Sequence, residues 1–531
     1  MLRPDRFRDP VRDHYDVVVV GAGMGGLVAA SLLARAGQRV LVLDGHYVPG
    51  GNASVFRRKD YEFDVGIHYL GDCAPGGLIP RILESCGADV RFLPMDADFE
   101  QLTFPDMEFS IPRDRDEFER RLLERFPAEA RGIRRYIRFL EQADRMTELR
   151  LEEPALRTLW TLLRSPLLLR YANSTFGRFM DSCTKDPRLR SIMASQHGTY
   201  TVAPGEVSSV LHAGLQNHYF TNGGWYPEGG AQVVADRLAD AVEDRGGQIR
   251  LRSHVEKIDV KDGAVCGVTF SNKHLGRRQV GAGLVISNAD LKRTVFELVG
   301  SDNFPAAYAE RVRGFEMALP LFVVYLGLDI PADRLPYGNV NRWSFGNYDF
   351  DGEYAQLKAG SISEHPFIYI ATASCKDPGN SKLAPPGHTN MQVMTAVPSS
   401  PQFWGVTEEQ IRDGSYQASE QYRATKERVT AMVLEEAERL VPGLREHVVF
   451  CESATPMTHT RYTGSTAGTS YGIAATPAQF LTKRPGARTP IKGLLMAGAS
   501  MRSGHGIAGS MLSGVHAARE TLGENPLRRA K

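Results

Sequence analysis

Four valines in succession, Val17–Val20, open the ordered pattern of the chain and read as a strand with apolar neighbours on both faces. The run breaks at Gly21-Ala22-Gly23-Met24-Gly25-Gly26, after which residues 27–36 recur at helical spacing and Gly37 supplies a left-handed stop. Residues 39–43 form a second apolar strand that ends on Asp44. Residues 78–150 read as helical, most clearly at 117–126 and 128–149. Residues 212–230 read as an aromatic, glycine-rich loop, and 232–244 as an amphipathic helix stopped at Gly246-Gly247. Short β patterns follow at 248–251, 254–260 and 265–270, with an Asp262-Gly263 turn before the third. With the buried strand 283–288 they are expected to rejoin the sheet begun at Val17. Residues 320–328, 367–373 and 389–397, rich in β-branched and aromatic side chains, predict a second, mainly antiparallel sheet. Residues 416–440 form a long charged helix ended by Pro442-Gly443. Strand 493–498, turn 499–506 and helix 507–522 then repeat the order of the opening block.

The opening block has a chemical reading. A G-x-G-x-x-G turn between strand and helix, with an acid 18 residues after Gly26, is the arrangement that holds a dinucleotide. Gly21 makes the tight turn, Gly23 lets a pyrophosphate approach the backbone, and Gly26 lets helix and strand pack closely. The phosphates would lie on the helix N-terminus, with Asp44 accepting a hydrogen bond from a ribose hydroxyl. Pro49-Gly50-Gly51 places a second turn beyond the second strand, where backbone can pass close to the ligand. No second motif of this kind occurs, since Gly281-Ala282-Gly283 continues as Leu-Val-Ile, so a built-in NAD(P)H domain is not expected.

Composition narrows the field by exclusion. At 531 residues the chain can hold two or more domains, and 42% hydrophobic with 24% charged residues is ordinary for a globular protein. A net charge of +1 gives no reason to expect a nucleic-acid partner. Six scattered cysteines without a C-x-x-C pair read as reduced thiols, and no metal site is expected. The charged N-terminus lacks the apolar core of a secretory signal and no run is long enough to span a bilayer, so a cytoplasmic location is expected. Residues 156–171, LRTLWTLLRSPLLLRY, are the exception to an ordinary surface. Leu, Trp and interspersed Arg suit a basic amphipathic helix docking on a membrane surface, or a core helix broken at Pro166. Burial is the favoured of these two readings.

Several stretches together resemble the flavoprotein family of phytoene desaturases, carotenoid isomerases and retinol saturases. They are GAGMGGLVAASLLARAG (21–37), VPGGN (48–52), FDVGIHYLG (63–71), WYPEGGAQVVADRL (225–238), VISNAD (285–290) and GLLMAGASMRSGHGIAGSMLSG (493–514). They span nearly the whole chain in the family's order. Asp44 is a departure, since such flavoproteins more often carry Glu there; the shorter acid still accepts a ribose hydroxyl.

The resemblance implies FAD, held by an α/β, Rossmann-like domain built from discontinuous segments, 1–77, 225–300 and 488–531. An α+β substrate domain with a mainly antiparallel sheet would comprise 78–224 (helical) and 301–487 (sheet and helix). Carried over by position, Gly21, Ala22, Gly23 and Gly26 meet the pyrophosphate, and Asp44 the adenosine ribose. Gly50, Gly51 and Asn52 pass near the phosphates or flavin, and Val255 meets the adenine through its backbone. Gly498 lies by the pyrophosphate or ribityl chain, and Gly506, Ile507 and Ala508 at the flavin pyrimidine edge. His68, Tyr69, Tyr226 and His505 are the candidates for catalytic groups near the flavin. The implied activity is desaturation, saturation or cis/trans isomerisation of C–C bonds in an apolar isoprenoid or polyene, with oxygen, a quinone or a diffusible carrier exchanging electrons. Two alternatives share this frame: a flavin amine oxidase acting on C–N bonds, and a non-catalytic prenyl-binding protein of the GDP-dissociation-inhibitor type.

Overall fold

The computed structural model describes residues 5–147 and 160–529. Its parallel sheet draws on three distant parts of the chain. In order come β1 (Val17–Val20), α1 (Met24–Arg35), β2 (Val40–Leu43), β3 (Gln248–Arg250), β4 (Val285–Ser287), β5 (Leu494–Met496) and α2 (Gly506–Leu522). The strands lie β3-β2-β1-β4-β5, parallel throughout. The four valines of β1 are all buried because each face is covered. Val17 and Val19 pack with α1, α2 and the helix Gln232–Glu243, whereas Val18 and Val20 face a second sheet. This is the period-two alternation of a strand expressed between two apolar layers, which is why the sequence shows no polar alternation here. α1 and α2 meet backbone to backbone: a Cβ on Gly514 would stand 2.2 Å from the Gly25 carbonyl oxygen.

The sheet covering Val18 and Val20 corrects one expectation. Of the β patterns between residues 248 and 288, only Gln248–Arg250 and Val285–Ser287 join β1 and β2. Ser253–Lys261, Ala264–Asn272 and Gly276–Ala282 instead form an antiparallel sheet of their own, edged by His14–Tyr15. Their first turn is the anticipated Asp262-Gly263, both residues at positive φ, the geometry whose twist matches a hairpin.

The other large sheet has seven strands, ordered Val448–Ala454, Leu321–Leu328, Thr389–Ala396, Ile368–Ala371, Asn341–Ser344, Asp98–Phe104, Met107–Pro112. Every pair is antiparallel except Asn341–Ser344 beside Asp98–Phe104. The mainly antiparallel expectation holds, but two of its strands come from the stretch read as helical. Leu78–Cys86, Arg115–Arg125 and Ala130–Thr147 are helices, while residues 98–112 form a hairpin. Its signal was present as Met107, Phe109 and Ile111 on one face; in the preceding strand a buried Glu100 breaks the alternation and hides it. Residues 148 and 149, the end of the expected second helix, lie outside the described residues. The 212–230 loop is also corrected: Ser209–Phe220 is a helix, because nothing interrupts its intrahelical hydrogen bonds until Asn222-Gly223, and Gly214 alone costs only about 1 kcal/mol. The long charged helix ends before Pro442-Gly443 as expected but begins at Glu420, capped by Ser419, with residues 415–418 forming a separate 3-10 turn.

Of the amphipathic stretch, residues 156–159 lie outside the described residues. The remainder is divided. Leu168 and Tyr171 of the short helix Pro166–Tyr171 are buried, while Trp160, Leu163 and Leu169 are 59%, 66% and 51% exposed. The expected burial therefore holds for one side only. No helix among the described residues is long and apolar enough to cross a membrane.

Candidate active site

In an open parallel sheet, ligands bind beyond the strand C-termini where the strand order reverses, here between β1 and β4. The residues that meet at that point are the glycine turn and Asn288. Gly21 has φ +100, a conformation that only glycine adopts without strain, and a Cβ on Gly26 would stand 2.1 Å from the Gly21 carbonyl oxygen. Gly26 therefore serves helix–strand packing, as read from the motif. The second glycine turn docks on the first: Gly50 N–H donates to Ala22 O at 2.8 Å, and a Cβ on Gly51 would touch Gly23 Cα at 3.4 Å. Asp44 holds the arrangement from the other side, accepting from Ala22 N–H at 2.6 Å and His46 N–H at 2.7 Å. Each carboxylate oxygen keeps a lone pair for a ribose hydroxyl.

Asn288, at the end of β4, was not read from the sequence as a site residue. Its amide fills the space a Cβ would need at Gly23 and Gly25, 2.7 Å from each, and lies 3.3 Å from a Cβ at Gly498. Its buried Oδ1 has no hydrogen-bond partner, and neither has Oδ1 of Asn52. Gly21, Gly23, Asp44, Gly50, Gly51, Asn52, Val255, Asn288, Gly498, Gly506, Ile507 and Ala508 all line one cavity of 1320 Å³. Ala22 and Gly26 stand behind this wall. Bare backbone at the α1 N-terminus, a carboxylate beyond it and orphaned amide oxygens fit the pyrophosphate and ribose of a dinucleotide.

The same cavity continues past the cradle between the Ser209–Phe220 helix and the seven-stranded sheet, where Leu211, Leu215, Leu321, Val323 and Met394 line it. Aromatic side chains line the same cavity. Tyr69 stacks on Tyr219 with ring centres 4.6 Å apart and planes 12° apart, and Tyr369, Trp343 and Tyr471 complete the wall. The stacked rings face each other and leave no gap between them for a ligand.

Three of the four catalytic candidates reach the cavity. His68 lines it with Nδ1 unpartnered; enclosure and, secondarily, Lys376 push its pKa down to about 3, so the imidazole is neutral. His505 occupies the N-cap position of α2 without bonding its N–H groups and stands beside Tyr471, likewise neutral, with burial as the main cause and the Arg484 charge adding to it. Tyr69 Oη donates to Glu100 Oε1 at 2.6 Å. Tyr226 stands apart from the wall: fully buried, it donates to Asp64 Oδ2 at 2.7 Å and braces the strand Tyr61–Asp64.

Behind Tyr69 lies a polar network the sequence did not announce. Glu100 also accepts from Gln196 Nε2 at 2.8 Å, and burial pushes its pKa up to about 6 against these hydrogen bonds. Asp64 is raised to about 7 for the same reason. Lys376 Nζ donates to His68 O at 2.7 Å and Asn341 Oδ1 at 2.6 Å, and sits 6.0 Å from the centre of the Tyr69 ring. Burial lowers its pKa to about 8, with Asp64 and Glu100 opposing. One buried ammonium thus pins the His68-Tyr69 backbone from below.

Comparison with known proteins agrees with this geometry. The family model for flavin containing amine oxidoreductases matches residues 24–522. An all-trans-retinol 13,14-reductase from Danio rerio is 28% identical over 517 residues, covering 92% of this chain and 83% of its own. A chloroplastic prolycopene isomerase 1 from an Oncidium hybrid cultivar is 28% identical over 531 residues, covering 96% and 84%. Among solved structures, a cyclohexylamine oxidase from Brevibacterium oxydans has the same fold, with a TM-score of 0.57 at 15% identity over 96% of this chain and 100% of the other. With a glycine cradle at the sheet's reversal point, a second helix N-terminus on the same cavity and a family match over residues 24–522, this chain belongs to the flavin-containing amine oxidoreductase family.

Proposed function

We propose that the chain uses FAD to add, remove or rearrange hydrogen across C–C double bonds of an apolar isoprenoid or polyene. The observation that carries this is the continuity of one cavity from the dinucleotide cradle, past Tyr69 and His68, into a wall of Leu211, Leu215, Leu321, Val323 and Met394. A polyene offers few polar handles, so its binding must come from burial, worth about 0.8 kcal/mol per methylene. The relatives aligned over nine-tenths of the chain are named for polyenes, whereas the cyclohexylamine oxidase shares the fold alone. The intact cradle speaks for an enzyme over a non-catalytic prenyl carrier.

Gly21, Gly23, Asn52, Asn288 and Gly498 would hold the pyrophosphate and its neighbours, Asp44 the ribose, Val255 the adenine, and residues 506–508 the pyrimidine edge. When bound, FAD supplies hydride exchange, and electrons leave or arrive through oxygen, a quinone or a diffusible carrier. The chain's own residues close the site and manage protons. Tyr69 Oη and Glu100 share one at the cavity wall, with Glu100 part-protonated near neutrality, so the pair can give or take a proton at Tyr69 Oη as a substrate carbon gains or loses one. Lys376 is a positioning residue that holds the His68 carbonyl and hence the height of Tyr69.

Trp160, Leu163 and Leu169, with exposed Arg164 and Arg170 among them, support docking on a bilayer. The Pro166–Tyr171 helix packs on Ser209–Phe220, whose Leu211 and Leu215 line the cavity, so an apolar substrate would pass from lipid into protein over a short path.

Purified protein is expected to be yellow with FAD absorbance. Under anaerobic conditions, polyenes should reduce the oxidised flavin, reoxidise the photoreduced flavin or be isomerised by it, and primary amines should leave both flavin states unmoved. Colourless protein that takes up no FAD, or a response to amines alone, would overturn this reading.

A further inference from the structure

Arg484 is fully buried, and all three of its hydrogen-bond partners are neutral. Its Nε donates to Met501 O at 2.9 Å, Nη1 to Ile473 O at 3.0 Å and Nη2 to Ala499 O at 2.7 Å. Among the described residues no carboxylate forms an ion pair with it, and burial alone pushes its pKa down to about 9. The other buried cations feel carboxylates: Arg6 meets Asp240 and Glu243, Lys376 lies in the field of Asp64 and Glu100, and Arg250, though held like Arg484 by three carbonyls, lies in the field of Asp9, Glu243 and Asp5. Carbonyl dipoles solvate a guanidinium without neutralising it, and a buried charge lacking a counter-charge is strongly disfavoured. Something else must make Arg484 worth keeping.

Two of its three carbonyls belong to the turn between β5 and α2. Gly498, Ala499, Ser500, Met501, His505 and Gly506 of that turn line the cavity. The turn also delivers the N-terminus of α2, a 17-residue helix whose first N–H groups have no side-chain cap. A fixed cation behind the turn and the positive end of a helix dipole therefore act on the same piece of wall. His505, between them, stays neutral and supplies no counter-charge. The complement to this wall is a group that becomes negative.

We propose that Arg484 is the counter-ion of reduced FAD, binding it in preference to the oxidised form and so raising the potential of the bound flavin. This rests on the proposed placement of the pyrimidine edge at residues 506–508. Hydride transfer moves two electrons and one proton from a substrate C–H bond to the flavin ring. The substrate is oxidised and loses its second proton to a base, leaving a C=C bond. The flavin is reduced and retains one negative charge, shared along the pyrimidine edge. Arg484 does not line the cavity but holds Ala499 and Met501, which do, so it would stand one layer behind that edge as a positioning charge rather than a catalytic residue.

The test is equilibrium reduction of holoenzyme by dithionite against a reference dye, for the parent protein and for Arg484→Gln and Arg484→Lys, with Tm measured in parallel. The parent flavin should be easier to reduce than free FAD. Arg484→Gln should weaken the preference for reduced over oxidised FAD at least tenfold, a fall of about 30 mV for a two-electron couple. Arg484→Lys keeps the charge and should stay within about threefold of the parent, even where loss of the three-carbonyl fork lowers Tm. A purely structural arginine would lower Tm in both variants with no change in potential, and that result overturns the proposal. Should Arg484→Gln not fold, a parent potential at or below that of free FAD is enough to overturn it. Loss of the polyene reaction with the potential pattern intact would count instead against the proposed function.

Discussion

Burial and charge are in tension at several single residues, and the tension is measurable. Glu100 is buried with its pKa raised from 4.5 to about 6, so folding favours its neutral form. This contribution is fully present below pH 4.5 and is lost as pH rises through 6, amounting to about 2 kcal/mol at 1.36 kcal/mol per unit. Glu100→Gln cannot ionise and should abolish that loss. Difference stability curves, parent minus variant, are expected to fall between pH 4 and 7 and be level outside that window. A level curve throughout would show that Lys376 already compensates the carboxylate in the folded state. The glycine cradle permits a second comparison. Gly26→Ala sets a methyl 2.1 Å from a backbone oxygen that cannot move without the strand, and should cost stability by about 1–3 kcal/mol or more. Gly23→Ala meets only the end of the Asn288 side chain, at 2.7 Å, which can swing aside. It should leave the Tm of FAD-free protein nearly unchanged while weakening FAD binding at least tenfold in a fluorescence titration. Equal losses of Tm in the two variants would contradict this division of labour.

At the scale of elements, what could be read from sequence was what neighbouring residues decide together. β1, its glycine turn, α1, β2 and the Asp262-Gly263 hairpin were legible because strand, turn and helix there lie within one stretch. The hairpin 98–112 was not, because Glu100 occupies a buried position that Tyr69 and Gln196, 31 and 96 residues away, and the Lys376 charge make tolerable. Lys376 is a stronger case, lying 308 residues from the carbonyl it holds. Such networks leave no spacing to recognise, since each member is a lone polar residue until the fold assembles them. The Leu/Trp/Arg stretch lies between these cases: its composition marked it as unusual, but only coordinates separate Leu168, which is buried, from Trp160, Leu163 and Leu169, which are not. An apolar side chain moved fully out of water contributes about 1.5–3 kcal/mol, and each arginine near an anionic surface about 1 kcal/mol. Leu163→Asp with Leu169→Asp should therefore reduce co-sedimentation with anionic liposomes at least tenfold and leave Tm within about 2 °C. Binding equal to the parent's would sink the docking face. Leu168→Asp is the informative control, expected to unfold the short helix rather than to report on lipid.

For the whole molecule, one cavity draws its wall from every layer. The parallel sheet contributes Gly21 and Asn288, the antiparallel sheet Val255, the helical layer Leu211, and the seven-stranded sheet Val323 and Met394. A ligand seated there touches all of these layers at once, so its binding energy should appear as stability of the assembly rather than of one loop. Linkage sets the size: a ligand that binds only the folded state stabilises it by about 2.7 kcal/mol at a hundred times its dissociation constant, and by about 1.4 kcal/mol for each further tenfold. Tm of FAD-stripped protein should thus climb with the logarithm of added FAD without reaching a plateau, in a single cooperative transition. A rise that stops once the site is filled would mean that unfolded chain also binds FAD. Two transitions, only one of them FAD-dependent, would mean that the sheets unfold independently and the cavity is a contact between separable bodies. A single rising transition would instead make the cofactor a structural member of the fold, and cradle variants such as Gly23→Ala would then lower Tm only when FAD is present.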